Sequence, residues 1–513
     1  VSGYLRRLAT TGAAYTAASI VSKLIAVALL PLYTRYLTTD DYGAAEVMFA
    51  AVVSASIVVR LGLIEALLRF YYKDDEDPAR VVSSSFAALF WFATIAALVA
   101  LPFAGPISEA LLNQSAPDLA RISIAGLWVL TLNEYLLTLF RLEERARAFF
   151  LTTIINVLAA IALTVILVVG MEEGARGLLI GSYASGAAVV LALIFIHRRR
   201  LSLRFDRSLL RRLLRFGLPT MPAELSLYGL NFVDRIIIVH AAGLSEAGLY
   251  SIAVKFAQGL NVLVRGFQLA WPPLAYSIRD DDEARRVYAG VVTLFVAGCA
   301  FVVTGMWLLS RWLVRALAAP EFFDSYKAIG LLTVAATLYA LYMVLVVILG
   351  RTGRTEFNFP ATGAALVANI ALNLLLVPPF GIVGAGIALV ASYVVVLALM
   401  YVFTQRLFPV PYEWDRLLRV LAVSAALVSL GELLLPTEGF VGLLLRLAFA
   451  LAYPFALLAT GFFTRAERRW LARLRHPAEL LADLQALRPT AAGVQGVVPE
   501  TYEAELRDED AHL

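Results

Sequence analysis

Cysteine is nearly missing from this 513-residue chain. The single Cys299 excludes an internal disulfide and a cysteine-based metal site. Histidine is scarce too. His197, His240, His476 and His512 lie far apart and none falls in an HExxH spacing, so no zinc motif is present. Lysine is confined to Lys23, Lys73, Lys255 and Lys327; arginine carries the rest of the positive charge, and the net charge is only +4. That modest basic balance speaks to membrane topology before it speaks to nucleic acid. Charged residues make up 16% of the chain, where soluble domains carry about a quarter. No nucleophile-elbow pattern occurs. The Gly-rich stretch Gly381–Gly386 lacks lysine and follows no predicted strand, so it reads as a turn and close-packing surface, not a phosphate loop. Nothing in the sequence calls for a cofactor or a resident metal.

What is abundant is apolar. Hydrophobic residues are 60% of the chain and the mean hydropathy is +0.78. A water-soluble core cannot absorb this excess, whereas lipid can. Many apolar runs are long enough to cross about 30 Å of hydrocarbon as helices, which satisfy their own backbone hydrogen bonds there. The expectation is an all-α integral membrane protein of about 14 transmembrane helices. The expected segments are 11–33, 44–68, 81–103, 119–140, 148–170, 177–196, 213–240, 247–275, 288–309, 328–349, 357–377, 382–405, 417–435 and 440–463. The first run follows Arg6 and Arg7 but continues past Leu30 without a convincing small-residue cleavage site. It therefore reads as a membrane helix, not a cleaved signal.

Arginine is unevenly shared between the loops. One side holds Arg6, Arg7, Arg69, Arg80, Arg141, Arg145, Arg147, the run from Arg198 to Arg215, Arg279, Arg285, Arg286, Arg351, Arg354, Arg406, Arg416 and Arg419. The other side is poorer, with Arg311, Arg315 and Lys327 as the main exceptions. The positive-inside rule places the rich side, and both termini, in the cytoplasm.

The chain also repeats itself at a shift of roughly 205 residues. Asp41-Tyr42-Gly43 meets Glu246-Ala247-Gly248, and Arg60 meets Arg265. Arg147 meets Arg354, and Gly174 and Gly177 meet Gly381 and Gly384. A six-helix unit is even, so both copies enter the membrane in the same sense. The expected organisation is a parallel repeat of two six-helix lobes, 1–196 and 216–405, joined by a basic cytoplasmic linker at 197–215. Two extra helices at 406–463 follow. The tail, 464–513, starts with a basic amphipathic helix at 465–488 and ends in an acidic, polar stretch expected to be disordered.

Polar residues enter the membrane in rows. Ser251, Lys255, Gln258, Asn261 and Arg265 share one broad helix face. A row with two cations cannot face lipid, where a central Arg or Lys costs at least about 2.5–3.5 kcal/mol. It faces either a water-filled cavity or hydrogen-bonding partner helices. Glu224, Tyr228, Asn231 and Arg235 form a second row, behind Pro219 and Pro222, which could kink the helix or mark its start. The first half contributes Lys23 in segment 1, and Glu46 and Arg60 in segment 2; Arg60 either joins a cavity or snorkels to the cytoplasmic edge. Arg60 and Arg265 would set two guanidinium forks, suited to phosphate oxygens, at one depth. Asn358, Thr362, Asn369 and Asn373 suit helix packing as well as substrate contact. Glu46, Glu65, Glu134, Glu224 and Asp234 are embedded acids, each able to relay a proton, bind sodium or neutralise a nearby base; Glu224, Asp234 and Glu46 are the candidates for ion coupling. Asp280-Asp281-Asp282 suggests either a solvated loop balanced by Arg279, Arg285 and Arg286, or the carboxylate cluster of a membrane glycosyltransferase.

Several segments, in order, carry a resemblance. They are Tyr36-Leu37-Thr38-Thr39-Asp40-Asp41-Tyr42-Gly43, Phe216-Gly217-Leu218-Pro219, Asp234-Arg235-Ile236-Ile237, Ala247-Gly248-Leu249-Tyr250-Ser251, Trp271-Pro272, Asn369-Ile370-Ala371-Leu372-Asn373 and Gly381-Ile382-Val383-Gly384-Ala385. Over roughly residues 5–460 the chain resembles the polysaccharide biosynthesis, or oligosaccharide flippase, family of the multidrug/oligosaccharidyl-lipid/polysaccharide exporter superfamily. The lipid II flippases of that superfamily share the bundle, but their first-lobe motifs are not evident here; the turn motifs of drug-and-toxin extruders fit less well. The resemblance implies a non-enzymatic flippase of the bacterial inner membrane that carries an undecaprenyl-diphosphate-linked oligosaccharide to the outer leaflet. It implies that segments 1, 2, 7 and 8 line a central cavity. Arg265, Lys255, Arg60, Lys23 and Arg235 would be its cations, with Lys255, Arg265 and Arg60 attracting the pyrophosphate. Membrane lipid, a proton or sodium ion, and polymerase or glycosyltransferase machinery would be its partners. The alternatives are an ion-coupled exporter of small cations, disfavoured if the cavity holds more base than acid, and a membrane polymerase or glycosyltransferase.

Overall fold

The computed structural model describes residues 25, 27–72, 77–464 and 467. Side chains are described for all of these except 261–263, 265, 266, 269, 270, 273 and 355. Most of the expected first segment, with Lys23, and nearly all of the tail lie outside the described residues. So do the side chains of Asn261 and Arg265.

The described residues form helices. The first part contains α1 (Leu30–Tyr36), α2 (Thr39–Arg60), α3 (Leu63–Phe70), α4 (Pro78–Ala100), α5 (Ala104–Leu112), α6 (Pro117–Leu142), α7 (Ala146–Val165) and α8 (Gly174–His197). Then come α9 (Arg207–Gly217), α10 (Met221–Gly229), α11 (Val233–Ala242), α12 (Leu244–Ala257), α13 (Asn261–Ser277), α14 (Asp281–Leu317), α15 (Tyr326–Arg351) and α16 (Asn358–Leu407). Last are α17 (Trp414–Leu434) and α18 (Gly439–Ala459). Residues to Tyr453 make one compact unit and residues from Pro454 a second. In the second, the described rings of Phe462 and Phe463 meet edge to face at 5.0 Å.

Short polar residues start these helices. Thr38 accepts from the Asp41 amide at 3.1 Å and donates to its carboxylate at 2.7 Å, while Asp40 and Asp41 meet the positive end of the α2 dipole. Asp77, before Pro78, caps α4, and Asp206 caps α9 through the amides of Ser208 and Leu209. Asp280 caps α14 at 2.7 Å from the Glu283 amide. Asp281 pairs with Arg351 and Asp282 with Arg285. The aspartate triplet is thus divided between a cap and two ion pairs.

Ten of the described helical stretches are long and apolar enough to cross a membrane, or up to eleven if the bent pair Arg207–Gly229 with Val233–Ala242 is one span. The expected fourteen differ for physical reasons. Segment 1 is mostly undescribed. Segment 8 is interrupted by a 3-10 turn at Gln258–Leu260, so α12 and α13 are each short. Segments 11 and 12 run together as α16, whose 50 residues would stretch about 75 Å if straight. It is not straight: at Gly381, just after Pro378 and Pro379, the backbone leaves the helical region (φ 53, ψ −134). Segment 7 breaks as its prolines suggested, with a 3-10 turn over Leu218–Thr220, and again between α10 and α11.

The outward faces of α7 and α17 are apolar, Leu151, Ile155 and Leu158 on one and Leu418, Leu421 and Leu433 on the other. Lipid, not water, suits such surfaces. Inside the first half, Leu63, Leu67, Phe86, Leu136 and Leu193 form a core that α9 joins with Leu209, Leu210 and Leu213. The arginines of the linker stay on the other face of α9, so this stretch is a docked amphipathic helix rather than a free tether. The exceptions to the arginine asymmetry are all matched by acid. Arg315 meets Glu438 at 2.9 Å, Lys327 meets Asp324 at 2.9 Å and Arg311 reaches Glu432 at 4.0 Å. Arg446, fully buried, binds Glu432 at 2.7 Å and the carbonyls of Leu435 and Pro436 at 3.3 and 3.0 Å, closing the end of α17.

Candidate functional site: a polar cavity beside a sealed helix seam

Helices α2 and α12 pack along one another, and their first turns are in backbone contact. A Cβ on Gly43 would strike the Leu244 carbonyl, and one on Gly248 the Thr39 carbonyl. Only glycine permits this approach. Ser245 donates to Thr39 across the seam at 2.8 Å. Further along, Lys255 donates to Glu46 at 2.6 Å, its ammonium 4.9 Å from the centre of the Tyr42 ring. Gly43 and Gly248 are positions matched by the sequence repeat, and here they touch. A second matched pair behaves alike. Gly174 and Gly381 both have positive φ (52 and 53). Asp41 lies against the first and Glu246 against the second, themselves a matched pair.

Beyond this seal the bundle opens into a cavity of about 520 Å³. Val53, Ile57 and Arg60 of α2 line it, with Glu134 of α6, Glu224, Tyr228 and Asn231 of the α10 region, and Gln258. Tyr339 of α15 and Tyr393 of α16 complete the polar lining, their rings 5.8 Å apart. Asn231 donates to the Tyr393 hydroxyl at 3.3 Å. Arg60 is the centre of charge. Its Nε donates to the Ser56 carbonyl at 3.3 Å, one terminal nitrogen to Glu134, and the other to Glu224 at 3.1 Å. The alternative that Arg60 merely snorkels is therefore not what the structure displays.

The predicted residues divide into three groups. Arg60, Glu224, Tyr228, Asn231 and Gln258 come together at the cavity. Lys255, Glu46, Ser251, Asp234 and Arg235 do not line it. Lys255 and Glu46 bridge the seam, and Ser251 is buried. Asp234 accepts from the Tyr250 hydroxyl and from the Arg235 amide, and buried Arg235 donates to the Asn231 carbonyl. Lys23, Asn261 and Arg265 are not described. Of the described members of the segment 8 row, Gln258 lines the cavity whereas Lys255 and Ser251, one and two turns earlier, face the packed side. Among the described lining residues the expected excess of cations is reversed: two carboxylates face one guanidinium.

Glu134 belongs to the site although no polar row pointed to it. Its signal was its isolation, a lone acid in the middle of an apolar segment, which demands a partner. Tyr339 and Tyr393 had no such signal, since aromatic residues are common in apolar helices.

In sequence, 318 residues are 26% identical to the succinoglycan biosynthesis transport protein ExoT of Rhizobium meliloti, covering 60% of this chain and 61% of that one. A stretch of 224 residues is 22% identical to an uncharacterized membrane protein of Methanocaldococcus jannaschii, covering 43% and 44%. The chain thus spans less than two thirds of the length of either relative. In structure, it is similar to the lipid II flippase MurJ in an inward closed conformation, with TM-score 0.69 and 15% identity over 87% of this chain and 98% of that one. It is similar also to an inward-facing multidrug resistance MATE family transporter of the MOP superfamily, with TM-score 0.63 and 17% identity over 75% and 95%. At these identities the likeness is one of fold, an all-α membrane bundle. The sequence pattern of the polysaccharide biosynthesis protein family matches residues 32–327, more than half of the chain, and this protein belongs to that family.

Proposed function

We propose that the protein is a flippase for an undecaprenyl-diphosphate-linked oligosaccharide in the bacterial inner membrane, working by alternating access. The observation that carries this reading is the cavity at Arg60. It gathers one guanidinium, two carboxylates and several neutral polar groups within an apolar bundle, and the Arg60–Glu224 bond joins the first half of the chain to the second. A sugar diphosphate cannot cross hydrocarbon unaided, and a hydrated cavity with a fixed guanidinium lowers that barrier. The family and the ExoT relative, itself a transport protein of polysaccharide synthesis, support the same direction.

In this proposal the chain has fourteen spans: two lobes at 1–196 and 216–405, the linker at 197–215, and two helices at 406–463. Both termini are cytoplasmic, following the arginine distribution. The α2–α12 seal then lies on the outer side and the cavity in the inner half. Rocking of the lobes would part Gly43 from Gly248 and move the cavity outward. Proton or sodium coupling and delivery to a polymerase belong to the same picture.

The acid excess among the described lining residues favours one alternative, an ion-coupled exporter of small cations. Liposomes carrying the purified protein separate the two. With a fluorescent polyprenyl-diphosphate oligosaccharide in the membrane, the flippase reading expects protein-dependent transfer between leaflets, lost in Arg60→Ala. Transfer no faster than in protein-free liposomes, together with uptake of a cationic dye under an ion gradient, reverses the assignment.

A further inference from the structure

We infer that Glu134 and Glu224 compete with the anionic substrate for Arg60, so that loading a diphosphate into the cavity takes up protons on these carboxyls. This rests on the flippase reading above and adds the groups the substrate competes with.

The geometry sets the competition. The Arg60 side chain is 11% exposed, whereas Glu134 and Glu224 are 35% and 40% exposed. All three line the cavity, and the carboxylates are its more open members. Each nitrogen of the guanidinium already gives an N–H, Nε to the Ser56 carbonyl and the two terminal nitrogens to the two glutamates, which takes three of its five N–H groups. A guanidinium reads phosphate by offering two parallel N–H groups. A diphosphate that engages that fork therefore competes with the two carboxylates for one guanidinium and its charge.

Charge then decides what accompanies the exchange. Facing the two glutamates are Arg60 of α2, Glu65 of α3, Arg141 of α6 and Tyr228 of α10. Gln258, Tyr339 and Tyr393 face the same space and are neutral. Arg141 and Glu65 offset one another, which leaves one guanidinium against two carboxylates among the described side chains. A diphosphate diester brings two further negative charges into this partly desolvated site, where like charges repel strongly. Protonating both carboxyls changes the described triad from one net negative charge to one net positive charge. The anion and the protons therefore favour each other's binding, and by linkage each strengthens the other equally. The two carboxyls share one guanidinium, so they titrate as a pair. A cation exporter would show the opposite sign, binding its cargo when the carboxyls have lost their protons.

The test uses the full chain in nanodiscs and a farnesyl-diphospho-N-acetylglucosamine probe, a diester whose phosphates stay ionised across the range. Binding is measured by calorimetry between about pH 5.5 and 8, in two buffers of different ionisation heat, which counts protons taken up directly. The wild type should bind about tenfold tighter per unit fall in pH for each proton coupled. Glu134→Gln/Glu224→Gln, which keeps shape and removes both charges, should bind tightly at pH 8 with its pH dependence flattened. Wild-type affinity that ignores pH, with no proton uptake, overturns the inference and leaves the flippase reading standing. So does a double variant that binds more weakly than wild type at pH 8. Because the wild-type slope and proton count need no variant, misfolding of the double variant does not blunt the test. If the wild-type protein binds no diester at any pH, the flippase reading falls, and this inference with it.

Discussion

Along its length α2 changes the way it meets the other half of the chain. Its first turns are close-packed: Thr39, Gly43 and Glu46 lie against Ser245, Gly248 and Lys255, with glycine backbone on backbone. Its last turns, at Val53, Ile57 and Arg60, line the cavity, and just past its end Gly62 meets the backbone of Gly217. Small residues set the first behaviour, because only they bring two backbones into contact. Ionised residues set the second, because an acid and a base on facing helices bind each other through long side chains without bringing their backbones together. The proposed alternation of access uses both, a close contact that parts and a chamber that keeps its charged groups.

The sharpest way to break this contrast is to crowd the seal. Gly248→Leu places a branched side chain where the Thr39 carbonyl lies. Overpacking of this kind costs about 1–3 kcal/mol or more, and it should prevent α2 and α12 from closing. The expected outcome is loss of transport with the cavity permanently open to the sealed side, read as rapid labelling of a cysteine introduced at Gln258. Native Cys299 is buried and would be replaced first. Slow labelling combined with normal transport would contradict the seal. The converse lock is Thr39→Cys with Ser245→Cys, whose side chains already meet at 2.8 Å. Oxidation should stop transport and a reductant should restore it.

A smaller effect is expected at the Glu46–Lys255 pair, which is neither fully dry nor fully wet. Removing one partner strands the other, at a cost between the about 0–1 kcal/mol of exposed pairs and the about 3–5 kcal/mol of buried ones. Lys255→Met alone should therefore lower thermal stability more than Lys255→Met combined with Glu46→Leu, in which no charge is left unpaired. Additive losses in the double variant would mean that the two residues act separately. At the cavity end, Tyr393→Phe deletes one hydrogen bond, from Asn231. Its stability should fall by only about 1 kcal/mol.

Much of this contrast is legible in the sequence, and the rest has identifiable reasons for being hidden. The glycines of the seal, Gly43 and Gly248, are visible as partners in the sequence repeat, and so are Gly174 and Gly381 beside it. Arg60 and Glu224 are visible because charges within apolar segments must find partners. The direction in which Lys255 points is not visible. Helical spacing groups Lys255 with Ser251 on one face of α12, but which neighbour that face meets, here Glu46 of α2, is set by tertiary packing. Glu134 and Arg446 were each readable as an isolated charge in an apolar run, but which partner each one takes depends on tertiary packing. Arg446 takes Glu432, across the turn between α17 and α18, and Glu134 takes Arg60, 74 residues earlier.

The smallest expected effect lies outside the seam, at the start of the linker helix, and it checks whether charge pairing at the surface matters as it does inside. Asp206 accepts from the Ser208 hydroxyl and amide, from the Leu209 amide, and from Arg80. The Ser208 hydroxyl first, and then Arg80, hold its carboxyl well below the usual carboxylate range. A depressed folded value means that the unfolded chain binds the proton more readily. The stabilisation is then fully present above the unfolded value, near about pH 4, and is lost as pH falls through the folded value. Asp206→Asn should therefore be slightly less stable than wild type at neutral pH, with the gap closing on acidification below about pH 4. Because Arg80 and Asp206 are both partly exposed to solvent, added salt should shrink the neutral-pH gap. The Glu46–Lys255 difference, better sheltered from solvent, should respond much less to the same salt. If salt erased both differences equally, the seam would be as wet as the surface, and the contrast between a close-packed seal and a hydrated cavity would not hold.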